Sequence, residues 1–172
     1  MSLAAVLEAR EQRWQTKQQL VRRFRACALS LCLNIPGPDK HPPGAERAFA
    51  LLQAALREAV KKSDRGRRPA IMHEVSGTGA DGLYWLMLSP LPAFTLKRMA
   101  VRLECEHPLG RLADIDILTK TGEALSRADL ALPPRACFVC GEAASLCRRN
   151  RAHPQGALMD FVASLLKKNG LR

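Results

Sequence analysis

The order of hydrophobic periods most restricts how this chain can fold. Phe24 to Asn34 is a run of mostly small and aliphatic residues that stops at Ile35-Pro36-Gly37-Pro38, and it reads as a buried strand ending in a turn. Over 44–62, Ala48, Leu51, Leu52, Ala55, Leu56 and Ala59 recur at three- and four-residue intervals, the spacing of one helix face, and Lys61-Lys62 suit the C-terminal end of its dipole. Two strands follow at about 70–76 and 83–88, joined as a hairpin by Gly77-Thr78-Gly79-Ala80-Asp81-Gly82. Those glycines resemble a phosphate-cradling loop, but no Lys-Ser/Thr pair follows, so the turn reading is preferred. Residues 92–106 fit two patterns: Met99, Val101, Leu103 and Cys105 alternate as in a strand, while Leu96, Met99, Ala100 and Leu103 share a helix face. Pro90 and Pro92 suit a helix start, and a helix here gives the order β-α-β-β-α-β, closed by a strand from Ala113 to Leu118.

The predicted fold class is therefore α+β, a split β-α-β-β-α-β sheet with both helices on one face. A C-terminal cysteine-bearing segment and a helix at about 156–168 follow, the helix carrying Leu158, Phe161, Val162, Leu165 and Leu166 as its apolar face. An opening helix at 2–22 has Leu3, Val6, Leu7, Arg10, Trp14, Lys17 and Leu20 in one stripe, with Trp14 expected to pack. The length of 172 residues predicts a single domain: an N-terminal helix at 1–23, an α+β core at 24–136 and a cysteine-rich tail at 137–172.

Composition excludes several classes. An apolar content of 47% argues against disorder, and no stretch approaches the roughly 18 consecutive apolar residues of a membrane span. The first 25 residues carry Glu8, Arg10, Glu11, Arg13, Lys17, Arg22, Arg23 and Arg25 without a continuous apolar run, unlike a secretory signal. A soluble, cytoplasmic protein with reduced thiols is expected, so its six cysteines need an explanation other than three disulfides. The net charge of +11 is divided into +8 over 1–68, −1 over 69–136 and +4 over 137–172. Basic flanks around a near-neutral, carboxylate-bearing middle would attract a polyanion: nucleic acid, a phosphorylated metabolite or an acidic protein. A basic loop is read from Ser63 to Pro69, and Cys27, Cys32 and Cys105 are expected to be packing residues, the first two on opposite faces of their strand.

The strongest local signal is Gly110-Arg111-Leu112-Ala113-Asp114-Ile115-Asp116-Ile117-Leu118. In a strand, Asp114 and Asp116 share one face while Ala113, Ile115 and Ile117 take the other. Paired carboxylates repel, and a divalent cation removes that cost, with Mg2+ bridging to phosphate the common solution. Two exposed aspartates on an edge strand would give the same pattern. Just upstream, Glu104 could be a third ligand, His107 a general base or simply a turn former with Pro108, and Arg111 a phosphate clamp. The second signal is Cys137-Phe138-Val139-Cys140-Gly141 with Cys147 and His153, a C-x2-C-x6-C-x5-H series that supplies three thiolates and one imidazole, a complete tetrahedral zinc set. A reactive dithiol or ordinary core cysteines are the competing readings, and Arg148, Arg149 and Arg151 would favour thiolates.

Together these segments resemble a known family. His107 through Asp116, Gly122 through Arg127, Leu132 through Cys137, the Cys140, Cys147 and His153 series, and Pro36-Gly37-Pro38-Asp39-Lys40 look like the apo-citrate lyase phosphoribosyl-dephospho-CoA transferase family, also called citrate lyase holo-acyl-carrier-protein synthase. The resemblance runs from about residue 24 to 165. It implies nucleotidyltransferase-like transfer of the 2′-(5″-phosphoribosyl)-3′-dephospho-CoA group from its 5″-triphosphate to a serine of the acyl carrier protein subunit of citrate lyase, with release of pyrophosphate. In that reading Asp114 and Asp116 hold Mg2+, Lys40, Arg111 and Arg127 contact phosphates, and Asp116, Glu104, His107 or water takes the serine proton. The basic N-terminal section then suits an acidic carrier protein. The rival readings are the same transfer to the malonate decarboxylase carrier and a basic zinc-knuckle protein that binds nucleic acid. The small number of aromatic residues, eight in all, argues against the last.

Overall fold

The computed structural model describes residues 2–63 and 69–171, so most of the loop read from Ser63 to Pro69 lies outside the described residues. Helix α1 (Leu3–Phe24) precedes strand β1 (Cys27–Leu33), helix α2 (Ala45–Lys61), the hairpin of β2 (His73–Gly79) and β3 (Gly82–Ser89), helix α3 (Ala93–Glu106) and strand β4 (Ala113–Leu118). A two-residue edge strand β5 (Ala124–Leu125) and the helices α4 (Ala144–Asn150) and α5 (Gln155–Lys168) complete the described elements, with short 3-10 turns at Gly110–Leu112 and Ala128–Leu130. The strands form an antiparallel sheet in the order β2-β3-β1-β4-β5. The predicted β-α-β-β-α-β order is thus present, with β1 central and β4 beside it.

One face of the sheet is built from the alternate residues Cys27, Leu29 and Leu31 of β1, Trp85 and Met87 of β3, and Ala113, Ile115 and Ile117 of β4. Helix α2 covers it with Ala48, Phe49, Leu52, Leu56 and Val60, and α3 with Ala93, Leu96, Ala100 and Leu103, in one continuous core. The ambiguity at 92–106 is resolved as a helix because Leu96, Ala100 and Leu103 are buried together, while the strand pattern would have demanded burial of Cys105, which is exposed. The expectation that Cys105 packs inside is corrected by the same observation. Cys27 and Cys32 do lie on opposite faces, since Cys27 joins the α2/α3 core and Cys32 is opposite Tyr84 and Asp114.

The hairpin turn is tighter than predicted, because Gly77, Thr78 and Gly79 continue β2 and pair with Tyr84, Leu83 and Gly82. Gly77 has a packing reason to be glycine: a Cβ there would lie 2.5 Å from the Tyr84 hydroxyl.

Helix α1 lies on the opposite face. Val21 packs with Ala26, Ala28, Leu88 and Leu118 in a second, smaller apolar cluster. Of the predicted stripe, Leu20 packs against this cluster, but other positions behave differently. Leu7 is exposed, and Trp14, expected to pack, is 38% exposed with the Lys17 ammonium 5.2 Å from its ring centroid. Lys17 itself is only 5% exposed, so the side of α1 that meets the sheet is largely cationic. Among the described residues no helix is long and apolar enough to cross a membrane.

Candidate active site

The site begins with the way the chain enters β4. His107 ends α3, its Nδ1 accepting the Leu109 N–H at 3.0 Å, and Gly110 N–H donates to the His107 carbonyl at 2.8 Å. Gly110 lies so close to the end of α3 that a Cβ would stand 2.2 Å from the Leu103 carbonyl oxygen and 2.7 Å from that of Glu104. Only glycine permits this approach. Leu109 and Leu112 are buried on either side of it, which fixes the phase of the strand that follows. Ala113, Ile115 and Ile117 then enter the core, leaving Asp114 and Asp116 on the face toward α1.

The two carboxylates meet a polar environment supplied by the central strand and by α1. Ser30 and Cys32 of β1 are directly opposite Asp116 and Asp114. Lys17 Nζ bridges Asp116 Oδ2 and Ser30 Oγ, each at 3.2 Å. One turn earlier, Arg13 pairs with the buried Asp81 of the hairpin, whose carboxylate is also 3.9 Å from Arg10, and Asp81 Oδ1 has no hydrogen-bond partner. Arg13 and Asp81 also stand in the wall of a cleft of about 190 Å3 between α1 and the hairpin. Lys40 stands near enough to Arg10 and Asp81 to feel both charges, and its Nζ donates to the Ile35 carbonyl at 2.5 Å.

These surroundings perturb ionisation in a consistent pattern. The Asp114 carboxyl is held above the usual carboxylate range, first by the protein crowded around it and then by Asp116; Arg135 and Arg10 offset this in part. The Cys32 thiol is pushed up to about 12 by burial, against the pull of Arg13. Burial, aided by Arg10, lowers Lys40, whereas for Arg13 the cost of burial, the largest single influence, is outweighed by its hydrogen bond to Asp81 together with the charges of Cys32, Asp81 and Asp116, and the guanidinium is raised. Burial also lowers His107.

Of the residues singled out from sequence, Asp114 and Asp116 are brought together, within reach of Lys17. Glu104 and Arg127 pair with each other at 2.6 Å, and Glu104 is only a minor influence on Asp114. Arg111 donates to the carbonyls of Ala136 and Cys137 at 2.8 and 3.2 Å, so its guanidinium joins the cysteine segment to the entry of β4. The Cys137, Cys140 and Cys147 sulfurs and a ring nitrogen of His153 all lie within 4.8 Å of one another. Sequence reasoning missed Arg10, Arg13 and Lys17 as a set, together with Ser30, Asp81 and Arg135. The signal for the set was present, because three cations at spacings of three and four share a helix face.

An open sheet face with two oxygen-donor carboxylates, rimmed by arginine and lysine, suits a group-transfer enzyme whose ligand carries both phosphate and a divalent cation. The chain belongs to the apo-citrate lyase phosphoribosyl-dephospho-CoA transferase family, whose sequence profile matches residues 1–169, and is therefore a transferase. Helix α1, outside the resemblance read from about residue 24 onward, falls within that match. An apo-citrate lyase phosphoribosyl-dephospho-CoA transferase of Escherichia coli O139:H28 is 35% identical over 167 residues, covering 96% of this chain and 88% of the relative. A protein of the same name from Shigella boydii serotype 18 has the same identity and coverage.

Proposed function

We propose that this enzyme transfers the 2′-(5″-phosphoribosyl)-3′-dephospho-CoA group from its 5″-triphosphate to a serine of the citrate lyase acyl carrier protein, releasing pyrophosphate, in the reducing cytoplasm. The names of the relatives supply the group and the apo-citrate lyase acceptor. The observation that carries the chemistry is the Asp114/Asp116 pair on the α1 side of the sheet, in which Asp116 helps to hold the Asp114 carboxyl above its usual range. Such a pair fits Mg2+, which takes one or two carboxylates and fills its remaining positions with water and phosphate oxygens. When bound, Mg2+ would hold the triphosphate and neutralise charge developing on the leaving pyrophosphate.

The chain's own residues do the rest. Lys17 keeps the Asp116 carboxylate in place through the 3.2 Å contact and limits the repulsion between the two aspartates. Arg10, Arg13 and Lys40, gathered around Asp81, supply positive charge for the phosphates. The serine oxygen forms a bond to the α-phosphorus as the bond from that phosphorus to the bridging oxygen breaks, and the electron pair leaves with pyrophosphate. Asp116 accepts the serine proton. His107 is less suited to that task, because its Nδ1 lone pair is used by the Leu109 N–H and the neutral ring then carries its proton on Nε2. Glu104 and Arg127 serve as a positioning pair at the end of α3, and Arg111 as a positioning residue for the strand entry. The exposed Arg22 and Arg23 at the end of α1 would steer an acidic carrier and chiefly raise its association rate.

The test uses radiolabelled triphosphate precursor, the apo-carriers of citrate lyase and malonate decarboxylase, and random duplex DNA. Label on the citrate lyase carrier, one pyrophosphate per label, and no label on its Ser→Ala form are expected. Transfer only to the malonate decarboxylase carrier, or salt-sensitive DNA binding without transfer to either carrier, would overturn the proposal.

A further inference from the structure

The geometry points to a structural Zn2+ site made by Cys137, Cys140, Cys147 and His153, which holds residues 135–153 in shape and against the turn that enters β4. Such a site stands independently of the transfer reaction. Zinc bound at about 2.3 Å from sulfur and about 2.0 Å from nitrogen in a tetrahedron brings its ligand atoms to about 3.4–3.8 Å from one another. Here Cys140 Sγ is 3.4 Å from Cys147 Sγ and 3.2 Å from His153 Nε2, and all four atoms lie within 4.8 Å. The cysteines are free, and a disulfide would use only two of the four groups gathered.

The backbone is arranged for the same purpose. Ala136 bridges to Ala143, Cys137 N–H donates to the Glu142 carbonyl at 2.6 Å, and Ala144 N–H donates to the Arg135 carbonyl at 2.8 Å, closing a small hairpin around the first two thiols. Within it the Val139 N–H points at Cys137 Sγ at 3.5 Å. Gly141 takes the left-handed conformation, with φ 79° and nothing near its missing Cβ, so the turn's shape and not crowding asks for glycine. Helix α4 then carries Cys147, and Arg151, also left-handed, ends α4 and sends the chain back to His153.

Apart from Phe138, which packs against the main core, the segment has little apolar burial of its own. Helix α4 has seven residues, none of them buried, and an isolated helix shorter than about 12 residues is marginal in water. Cys137 is the buried residue of the 135–153 segment. A metal bond network would supply the missing folding energy, and three soft thiolates with an imidazole select zinc over Mg2+. Four protein ligands leave no open position, so the ion is structural and not a Lewis acid for catalysis. Its consequence is mechanical. Arg111 grips the Ala136 and Cys137 carbonyls and lies 5.3 Å over the Phe138 ring, Arg135 donates back to the carbonyls of Gly110 and Arg111, and Phe138 stacks on Phe161 of α5.

The full chain is purified reduced, without chelator, and its metal content measured; reduced apoprotein is then titrated with Co2+. About one zinc per chain is expected, together with the intense ligand-field absorption of tetrahedral cobalt thiolate. Cys140→Ser and His153→Ala should lose both, whereas Cys105→Ser, outside the cluster, should keep them. Chelation should open Arg148, Arg149 and Arg151 to trypsin. Fewer than about 0.2 zinc per chain with no tetrahedral cobalt spectrum would overturn the inference, as would full zinc retention in a Cys140→Ser/His153→Ala double variant. The cobalt titration of the unaltered chain decides the matter even if a variant does not fold.

Discussion

The two faces of the central sheet are made from the same strands and put to opposite uses. Toward α2 and α3, alternate residues such as Leu29, Met87 and Ile117 are fully buried in one apolar core. Toward α1, apolar packing is confined to the end where Val21 meets Ala28, Leu88 and Leu118; beyond it the intervening residues include Ser30, Cys32, Tyr84, Asp114 and Asp116, and the covering helix offers Arg13 and Lys17 where an ordinary amphipathic helix would offer leucine. Stability resides on the first face, where close packing resists change. The second trades burial for charge, and its carboxylates repel one another within a fold that the first face keeps rigid.

Neighbouring residues of β1 give the largest expected contrast. Leu29→Ala should cost about 2–5 kcal/mol in chemical denaturation and leave transfer per folded molecule unchanged. Ser30→Ala, one residue on, should cost only about 1 kcal/mol yet slow transfer, since it removes a partner of Lys17. Equal effects on both quantities would break the division between faces. Arg13→Leu should follow at about 1.5–3 kcal/mol, because it strips Asp81, already short of a partner at Oδ1, of its closest cation.

Asp114→Asn should act in the other direction. Its carboxyl is held above the unfolded value, so the stabilisation it contributes is present below the ordinary carboxylate range and lost as pH rises through the raised value. The asparagine form should therefore melt higher than the parent at pH 7 without divalent cation, with the gain shrinking on acidification; thermal scans across pH measure it. Added Mg2+ should raise the melting temperature of the parent alone. The smallest effect belongs to His107, which burial keeps neutral. Its contribution is complete above about pH 6.5 and declines as pH falls through the lowered value, so His107→Gln should flatten the stability profile on the acid side.

Sequence and structure agree where the pattern is local. The alternation from Ala113 to Ile117 specifies which side of β4 is wet, whereas the close approach of Gly110 to α3 is visible only in the structure. The cysteine spacing was legible in the same way. Helix α1 was misread because Arg10, Trp14 and Lys17 fit an apolar stripe by position; which side of the helix meets the sheet depends on Asp116, 99 residues from Lys17. Gly77 to Gly79 read as a turn because glycine favours turns locally, but pairing with β3 and the Tyr84 ring packed over Gly77 decide otherwise. Helix α4 gave no signal, having no buried face.

In the proposed mechanism the carboxylates on the α1 face perform the transfer while the α2/α3 face maintains the fold. Transfer of labelled prosthetic group to the citrate lyase apo-carrier, measured for Asp114→Asn and Asp116→Asn alongside denaturation curves, tests it most directly. A loss of about 100-fold or more is expected in each variant, with the cooperative unfolding transition intact. Transfer within about tenfold of the parent in both folded variants would contradict it.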